Sequence, residues 1–251
     1  MRAILSPAKN MHLDDDFLPP RNRPQFLDQA AQLAAYLKTL PFGELKTLLG
    51  CSDAIAQRSF AQYRRMDLQQ NPTGPAILSY DGIQYRYMAP QLLGYGELDY
   101  LEEHVRILSG LYGLLRPFDG VVPYRLEMQA RLRTNFCHDL YDFWGDRLAR
   151  ALLAEDDTLL NLASGEYSRA VLRHLGTDTR CITCRFGELQ NDRVIEKGVY
   201  VKMARGEMVR FLAENRLTRP EQVRDFDRLG FVFCPRLSDD HTYVFLREKG
   251  D

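Results

Sequence analysis

The chain has 251 residues, of which 45% are hydrophobic and 27% are charged, as is usual for a globular protein. No apolar run approaches the roughly 20 residues that a membrane-spanning helix needs, and the amino terminus lacks the apolar stretch of a signal peptide. We therefore expect a cytosolic protein with no membrane partner. The formal net charge of −1 excludes a strong global attraction to nucleic acid, so any anion-binding surface must be local.

The first half of the chain begins with a short apolar run that predicts a buried strand and ends in a loop carrying Ser6 and Lys9. A helical period then runs from 26 to 40 and is ended by Pro41. Further along, the pattern predicts strands at 76–80 and 83–87 around a turn, and then a helix over residues 97–105.

The second half predicts a buried strand at 158–163, followed by a helix that Ser164 caps. The remaining predicted elements are a strand pair at 180–186 and 192–196, a helix at 199–216, and strands at 230–234 and 242–246. Strands and helices alternate irregularly, and neither a repeat nor a linker interrupts them. We therefore predict one α/β (or α+β) domain with a mixed sheet over residues 1–251, in which residues 24–72 form a helical insertion.

The five cysteines are scattered and odd in number, which does not fit a disulfide framework. Cys181 and Cys184 have C-x-x-C spacing, but no second pair accompanies them, and on a strand they would face opposite sides. We interpret them as structural thiols, with a redox role as the alternative, and expect neither a metal nor a cofactor. The acidic runs at 14–16 and 155–157 are interpreted as solvated loops.

The segment 106–119 and its continuation to 128 combine glycines, prolines, arginines, an acid and tyrosines, a mixture that neither a helix nor a strand favours. Gly110 and Gly113 cost backbone entropy in a regular element. Arg116 and Arg125 must each find an anion or water. We interpret the segment as a carrier of polar side chains along a cleft.

Two further places can bind an anion. The strand-to-helix junction at 161–167 offers free N–H groups, Gly165 permits close approach, and Ser164 either binds a ligand or is an ordinary cap. Lys202 and Arg205 share one helical face, either as surface cations or as part of an anion site. Ser6 and Lys9 could also act as nucleophile and base, but no sequence signature of a known catalytic class accompanies them.

Residues 42–63 predict two helices joined by a turn, with Gly50 where a helix C-cap needs a positive φ. The pattern partly resembles the helix-hairpin-helix of DNA-binding proteins, whose backbone N–H groups contact phosphates without reading bases. Ser52 replaces the usual second glycine. Lys46 and nearby arginines could add phosphate contacts, whereas the alternative is a hairpin that only packs.

Six blocks, in order along the chain, resemble the YaaA peroxide-stress family of bacteria: Leu5-Ser-Pro-Ala-Lys9, Leu108-Ser-Gly-Leu-Tyr-Gly-Leu-Leu-Arg-Pro117, Pro123-Tyr-Arg-Leu-Glu-Met128, Leu140-Tyr-x-Phe-Trp-Gly145, Asn161-Leu-Ala-Ser-x-Glu-Tyr167 and Lys202-Met-Ala-Arg-Gly206. The resemblance implies a single-domain, cantaloupe-type fold in which helices wrap a central mixed sheet, and a cytosolic protein that limits iron-dependent peroxide damage. It also implies binding to duplex or distorted DNA through a helix-hairpin-helix and a positive cleft. The matching cations are Lys9, Arg116, Arg125, Lys202 and Arg205.

Two functions remain open from the sequence. In the first, the protein binds DNA without sequence specificity, through those five cations with Ser6, Ser164, Gly50 and Lys46. In the second, the same cleft binds a small anionic ligand or substrate, and Glu127 or Glu166 acts as a base with Tyr124 as an acid. We expect the five cations to converge in either case.

Overall fold

The computed structural model describes residues 1–12, 18–68 and 74–247, so the acidic run at 14–16 lies outside the described residues. The strands are β1 (Arg2–Leu5), β2 (Asn10–Met11), β3 (Gly74–Pro75), β4 (Tyr80–Asp81), β5 (Val105–Ser109), β6 (Gly113–Leu115), β7 (Gly120–Val121), β8 (Thr158–Asn161), β9 (Arg180–Gln190), β10 (Arg193–Ile195), β11 (Phe231–Phe233) and β12 (Thr242–Arg247). The helices are α1 (Leu27–Thr39), α2 (Phe42–Leu49), α3 (Asp53–Arg65), α4 (Ala76–Ser79), α5 (Ile83–Met88), α6 (Tyr95–His104), α7 (Leu140–Trp144), α8 (Arg147–Glu155), α9 (Gly165–Leu172) and α10 (Gly198–Glu214).

The described residues form a central mixed sheet of eight strands in the order β11-β12-β9-β8-β1-β5-β6, with β10 paired to β9. Five strands, from β12 to β5 along this order, are mutually parallel. The antiparallel strands β6, β10 and β11 complete it. The predicted α/β class with a mixed sheet is therefore confirmed. No described helix is long and apolar enough to cross a membrane.

The central strands of the sheet are formed by buried segments of the chain. Residues 3–5 of β1, all of β5 and residues 159–161 of β8 are buried, because helices cover both faces of a parallel sheet. Arg106 lies in this buried set at 4% exposure, and its guanidinium bonds Glu155 at 2.6 Å. Segment 106–119 therefore contains two strands, and our prediction against a regular element there was wrong. A paired arginine can be buried in a strand.

Most other predicted elements are confirmed, but two are wrong. Residues 76–79 and 83–88 form helices α4 and α5, where we expected strands. A short apolar run such as 76–79 does not distinguish a buried strand from a buried helix. The run at 155–157 is also not simply a solvated loop, since Glu155 ends α8 and pairs with Arg2 and Arg106.

The contact between α5 and α10 is unusually close and depends on Gly206. A Cβ at Gly206 would lie 2.1 Å from the carbonyl oxygen of Gln84 and 2.9 Å from the backbone nitrogen of Met88. No larger residue fits while the helices keep this spacing. The glycine after Arg205 therefore sets the distance between the two helices that form one wall of the site.

Candidate functional site

The candidate site lies at the carboxyl edge of the parallel strands, next to β1. The chain passes from β1 to β5 on one side of β1 and later enters β8 on its other side. Ligands in open α/β sheets bind at such a switch point. A cleft of 420 Å³, here called the main cleft, opens here and is lined by Ser6, Pro7, Ala8, Lys9, Asn10, Asp81, Gly82, Ile83, Gln84, Tyr85, Ser164, Glu166, Tyr167, Lys202 and Arg205.

Two serines join the ends of β1 and β8 at the floor of the main cleft. The Ser6 hydroxyl donates to the Ser164 hydroxyl at 3.1 Å and accepts from the Ser164 backbone N–H at 2.8 Å. Ser164 occupies the N-cap position of α9, but its side chain makes no capping bond. The Cβ position of Gly165 faces open space. The start of α9 is therefore open to an anion, because the N–H groups of its first two residues, Gly165 and Glu166, precede the first hydrogen bond of the helix, which Tyr167 donates to Ser164.

Helices α5 and α10 supply the opposite wall. Lys202 is exposed, whereas burial lowers the pKa of the Arg205 guanidinium below its ordinary value. Within the described residues, the Nε atom of Arg205 and the Nε2 atom of Gln84 are buried without a hydrogen-bond partner. Buried donors of this kind are costly unless something accepts from them. This wall therefore presents two unsatisfied donors and one exposed cation.

Arg125 and Glu127 lie at the rim of the main cleft, next to Lys9. One Glu127 carboxylate oxygen lies 2.6 Å from an Arg125 nitrogen and 3.4 Å from the Lys9 ammonium. The side chains of Arg125 and Glu127 are each 13% exposed, whereas Lys9 is 66% exposed. Their segment is irregular, and it crosses over Gly110, where a Cβ would lie 2.2 Å from the carbonyl oxygen of Leu126.

Tyr124 lies behind this rim in a buried hydrogen-bond chain. Its hydroxyl lies 2.6 Å from the Ser109 hydroxyl and 2.8 Å from the Tyr80 hydroxyl. Burial raises the pKa of Tyr124 to about 12, so the phenol stays protonated at neutral pH. Glu166 lines the main cleft and accepts from the Gln129 backbone N–H at 3.2 Å. Of the predicted acid–base candidates, Glu127 and Glu166 reach the cleft region, and Tyr124 supports it from behind.

The helical hairpin of α2 and α3 has the predicted geometry. Gly50 ends α2 with φ 56° and ψ 42°, the left-handed conformation expected of a C-cap glycine. The Lys46 ammonium lies 2.7 Å from an Asp53 oxygen across the turn, which partly neutralises it. At the other end of α3, the Tyr63 hydroxyl donates to the carbonyl oxygen of Arg125 at 2.8 Å. The hairpin is thus joined to the rim of the main cleft, although Gly50 and Lys46 do not line it.

The predicted cations converge with one exception. Lys9, Lys202 and Arg205 line the main cleft, and Arg125 adjoins it through Glu127. Arg116 does not, since it lines a different cavity. Arg116 was grouped with the others because it matches a block of the family, but β7 lies between Arg116 and Arg125, and the two side chains line different cavities.

Sequence reasoning missed the contribution of α5. Gln84 and Tyr85 line the main cleft, and the Tyr85 hydroxyl donates to the carbonyl oxygen of Ser6 at 3.0 Å. Alternation of apolar residues at 83, 85 and 87 had suggested a strand. The burial of Gln84, Tyr85 and Met88 instead has the i, i+1, i+4 spacing of a helix face.

The described residues contain no group of three or more His, Cys, Asp or Glu side chains able to hold a metal ion. The cysteines in this part of the chain are free thiols. Burial raises the pKa of Cys181 to about 11 and that of Cys184 further, so both are protonated at neutral pH. Protonated buried thiols are poor nucleophiles, which argues against the redox interpretation of this pair.

Comparison with known proteins agrees with the blocks noted above. Residues 1–237 match the family model described as "Peroxide stress protein YaaA". A UPF0246 protein of Desulfitobacterium hafniense (strain Y51) is 56% identical over 251 residues, covering the whole of both chains. A UPF0246 protein of Lachnoclostridium phytofermentans is 49% identical, with 100% of this chain and 98% of the relative covered. For a UPF0246 protein of Lactobacillus helveticus the identity is 45%, with coverage of 98% and 96%. The chain therefore belongs to the YaaA family of peroxide stress proteins.

Proposed function

We propose that this protein acts in peroxide stress as a cytoplasmic, sequence-nonspecific DNA-binding protein that limits iron-dependent damage to the bound DNA. The main cleft would take a phosphate-bearing segment of the DNA backbone. Three cations, Lys9, Lys202 and Arg205, line it together with two acids, Asp81 and Glu166. Asp81 is already paired with Arg86 at 2.9 Å, so the cleft keeps a positive excess.

The observation that carries the proposal is the physical link between the main cleft and the hairpin. Tyr63 of α3 bonds the backbone of Arg125, whose side chain shares Glu127 with Lys9. A cleft of 420 Å³ is too small for a duplex, so further backbone contacts must fall outside it. Exposed arginines on or beside the hairpin are Arg58, Arg64 and Arg65 of α3, and Arg131, whose backbone N–H donates to the Leu48 carbonyl oxygen of α2. These exposed arginines are the candidates for the further backbone contacts, because the hairpin that carries or contacts them is linked to the rim of the main cleft.

The test is DNA affinity, measured by fluorescence anisotropy on a short duplex and on one with an unpaired bubble, in matched single-charge variants. Lys202→Gln removes an exposed cation from the main cleft, and we expect affinity to fall about three- to tenfold on both substrates and regardless of sequence. Arg150→Gln removes an exposed cation from α8, where Arg150 is 79% exposed and lines neither cavity. It should leave affinity unchanged. Equal losses in the two variants would contradict a specific role for the cleft.

A small anionic ligand is the second candidate, and the unsatisfied donors of Gln84 and Arg205 favour it. Two buried, unpartnered donors on residues that line one cleft suit a ligand that accepts from both, whereas a mobile backbone phosphate needs neither. A mononucleotide titration separates the two candidates. Saturable mononucleotide binding that Gln84→Leu abolishes, together with no measurable DNA affinity, would favour the small ligand over DNA.

A further inference from the structure

A second cavity lies away from the main cleft, beside the edge strand β6 and under α8. It has a volume of 510 Å³ and shares no lining residue with the main cleft. Its walls come from the start of β5, the end of β6, the loop that follows β6, the end of α8 and residues 22–25. Here the structure places Arg116, together with Asp119.

On one wall of this cavity, the charges of Arg106 and Glu155 neutralise each other, and hydrogen bonds hold both side chains in place. The Arg106 guanidinium pairs with Glu155 at 2.6 Å and donates to the carbonyl oxygen of Glu102 at 2.8 Å. Glu155 also accepts from Arg2 at 3.1 Å. Because these groups satisfy one another, they form a rigid frame and are not free to rearrange around a ligand.

Asp119 is the unusual group in the cavity. It is 2% exposed, and one carboxylate oxygen accepts from the Arg116 backbone N–H at 2.8 Å. Its other oxygen is buried and has no hydrogen-bond partner within the described residues. An unpartnered buried carboxylate oxygen is costly, so either a ligand atom meets it or the carboxyl takes up a proton.

The charges around Asp119 favour an anion as that ligand. The cavity is lined by Arg23, Arg106 and Arg116 against Asp119 and Glu155, an excess of one positive charge that becomes two when Asp119 is protonated. Glu102 of α6 also acts on this carboxyl, and counting its charge leaves no excess while Asp119 is ionised and one positive charge once Asp119 is protonated. Burial raises the pKa of Asp119 to about 7, so the protonated form is well populated at neutral pH. The Arg116 guanidinium is exposed at the cavity and available to a ligand.

We propose that this second cavity is a binding site for a small oxyanion, such as the phosphate or sulfate group of a metabolite, held by the Arg116 guanidinium and by a hydrogen bond donated by the Asp119 carboxyl. Arginine suits such a group because its planar fork matches two oxyanion oxygens. The proton on Asp119 would complete the set of donors. Binding should therefore weaken as Asp119 ionises.

Sulfate is the cleanest probe, since its charge does not change between pH 6 and pH 8. We would titrate the isotope-labelled protein at constant ionic strength and follow residue-resolved amide signals, which report each site separately. The amides of Arg116 and Asp119 should shift saturably, and affinity should fall several-fold from pH 6 to pH 8. Arg116→Gln should weaken binding about tenfold. Arg150→Gln on the neighbouring α8 should not change it.

The variant Asp119→Asn isolates the role of the proton. An asparagine donates at every pH and can still accept from the Arg116 N–H, so the variant should bind sulfate at pH 8 about as tightly as the parent does at pH 6. Thermal unfolding of each variant would confirm its fold. Saturable shifts confined to Ser164 and Gly165 of the main cleft, or an affinity unchanged in Arg116→Gln, would overturn the proposal. Either result leaves the DNA-binding proposal to its own test.

Discussion

Glu127 determines how much positive charge the rim of the main cleft presents, because one of its oxygens faces both Arg125 and Lys9. We predict that Glu127→Gln leaves DNA affinity equal or higher, since two cations lose their shared counter-charge while the glutamine can still accept a hydrogen bond. The fold should lose roughly 1–3 kcal/mol, as expected when a buried charge-assisted hydrogen bond is weakened. Duplex affinity and urea unfolding of the same sample would measure both effects.

The small-ligand candidate predicts a different result for this variant. If Glu127 is a general base, the substitution should leave ligand affinity intact and reduce turnover on the order of 10²–10⁴-fold. Weaker DNA binding with an intact fold would contradict the electrostatic account. It would show that Glu127 orients Arg125 instead of merely neutralising it.

The buried carboxyl of Asp119 leads to a second prediction at the residue scale, which concerns how the free energy of unfolding depends on pH. Its pKa is raised from 3.8 to about 7 in the folded protein, mainly by burial. Between these two pKa values the folded protein therefore keeps a proton that the unfolded chain releases. The contribution of this proton to the free energy of unfolding is complete below pH 3.8 and is lost as the pH rises through about 7. The loss amounts to roughly 4 kcal/mol at most.

The variant Asp119→Asn removes that titration. Urea unfolding should give similar free energies for the variant and the parent near pH 4, and a more stable variant at pH 8. Parallel stability curves across this range would show that Asp119 titrates normally in the folded protein.

At the scale of elements, the spacing of α5 and α10 controls the wall that carries Lys202 and Arg205. Gly206→Ala places a methyl group 2.1 Å from the Gln84 carbonyl oxygen and must push the helices apart, at a cost of about 1–3 kcal/mol. The matched control is Gly198→Ala in the same helix, where a Cβ meets nothing within 4 Å. The unfolding temperature and the DNA affinity should both fall in Gly206→Ala, and both should stay unchanged in Gly198→Ala.

The hairpin gives another element-scale prediction. Gly50 and Gly43 both face open space, but only Gly50 has a positive φ, at +56°. Gly50→Val should therefore cost about 1–2 kcal/mol or more and weaken DNA binding beyond that loss, because the side chain blocks close approach of a phosphate. Gly43→Val should be tolerated by the helix. A Gly50→Val protein that unfolds at lower temperature but binds DNA normally would leave the hairpin as a packing element.

At the scale of the whole molecule, the sequence predicted the elements whose pattern is local. The left-handed Gly50 and the strand pair around 190–191 follow from turn and cap chemistry that acts within a few residues. The helix predicted after Ser164 is also present, but the Ser164 side chain makes no capping bond, so the predicted cap was wrong. The helices α4 and α5 were missed because short buried segments take their conformation from tertiary contacts. For example, the Ile77 N–H of α4 bonds the carbonyl oxygen of Pro117.

The sequence indicated which types of residue form the site, but not which of these residues lie together in the folded protein. Ser6 and Ser164 meet because β1 and β8 are neighbours in the sheet, and Lys202 and Arg205 join them from α10. The motifs alone do not determine these neighbours. Arg116 was misplaced because a match to a family block does not determine which cavity its side chain lines.

The salt dependence of DNA binding tests the central claim most directly. Each phosphate neutralised by a lysine or arginine releases counterions, so the logarithm of the association constant should fall linearly with the logarithm of salt concentration, with a slope of about −0.9 per contact. With Lys9, Lys202, Arg205 and hairpin arginines engaged, the account predicts a slope of about −3 or steeper. It also predicts that Lys202→Gln makes this slope shallower by about 0.9, the value of one phosphate contact. Duplex binding that is absent or insensitive to salt would contradict the account.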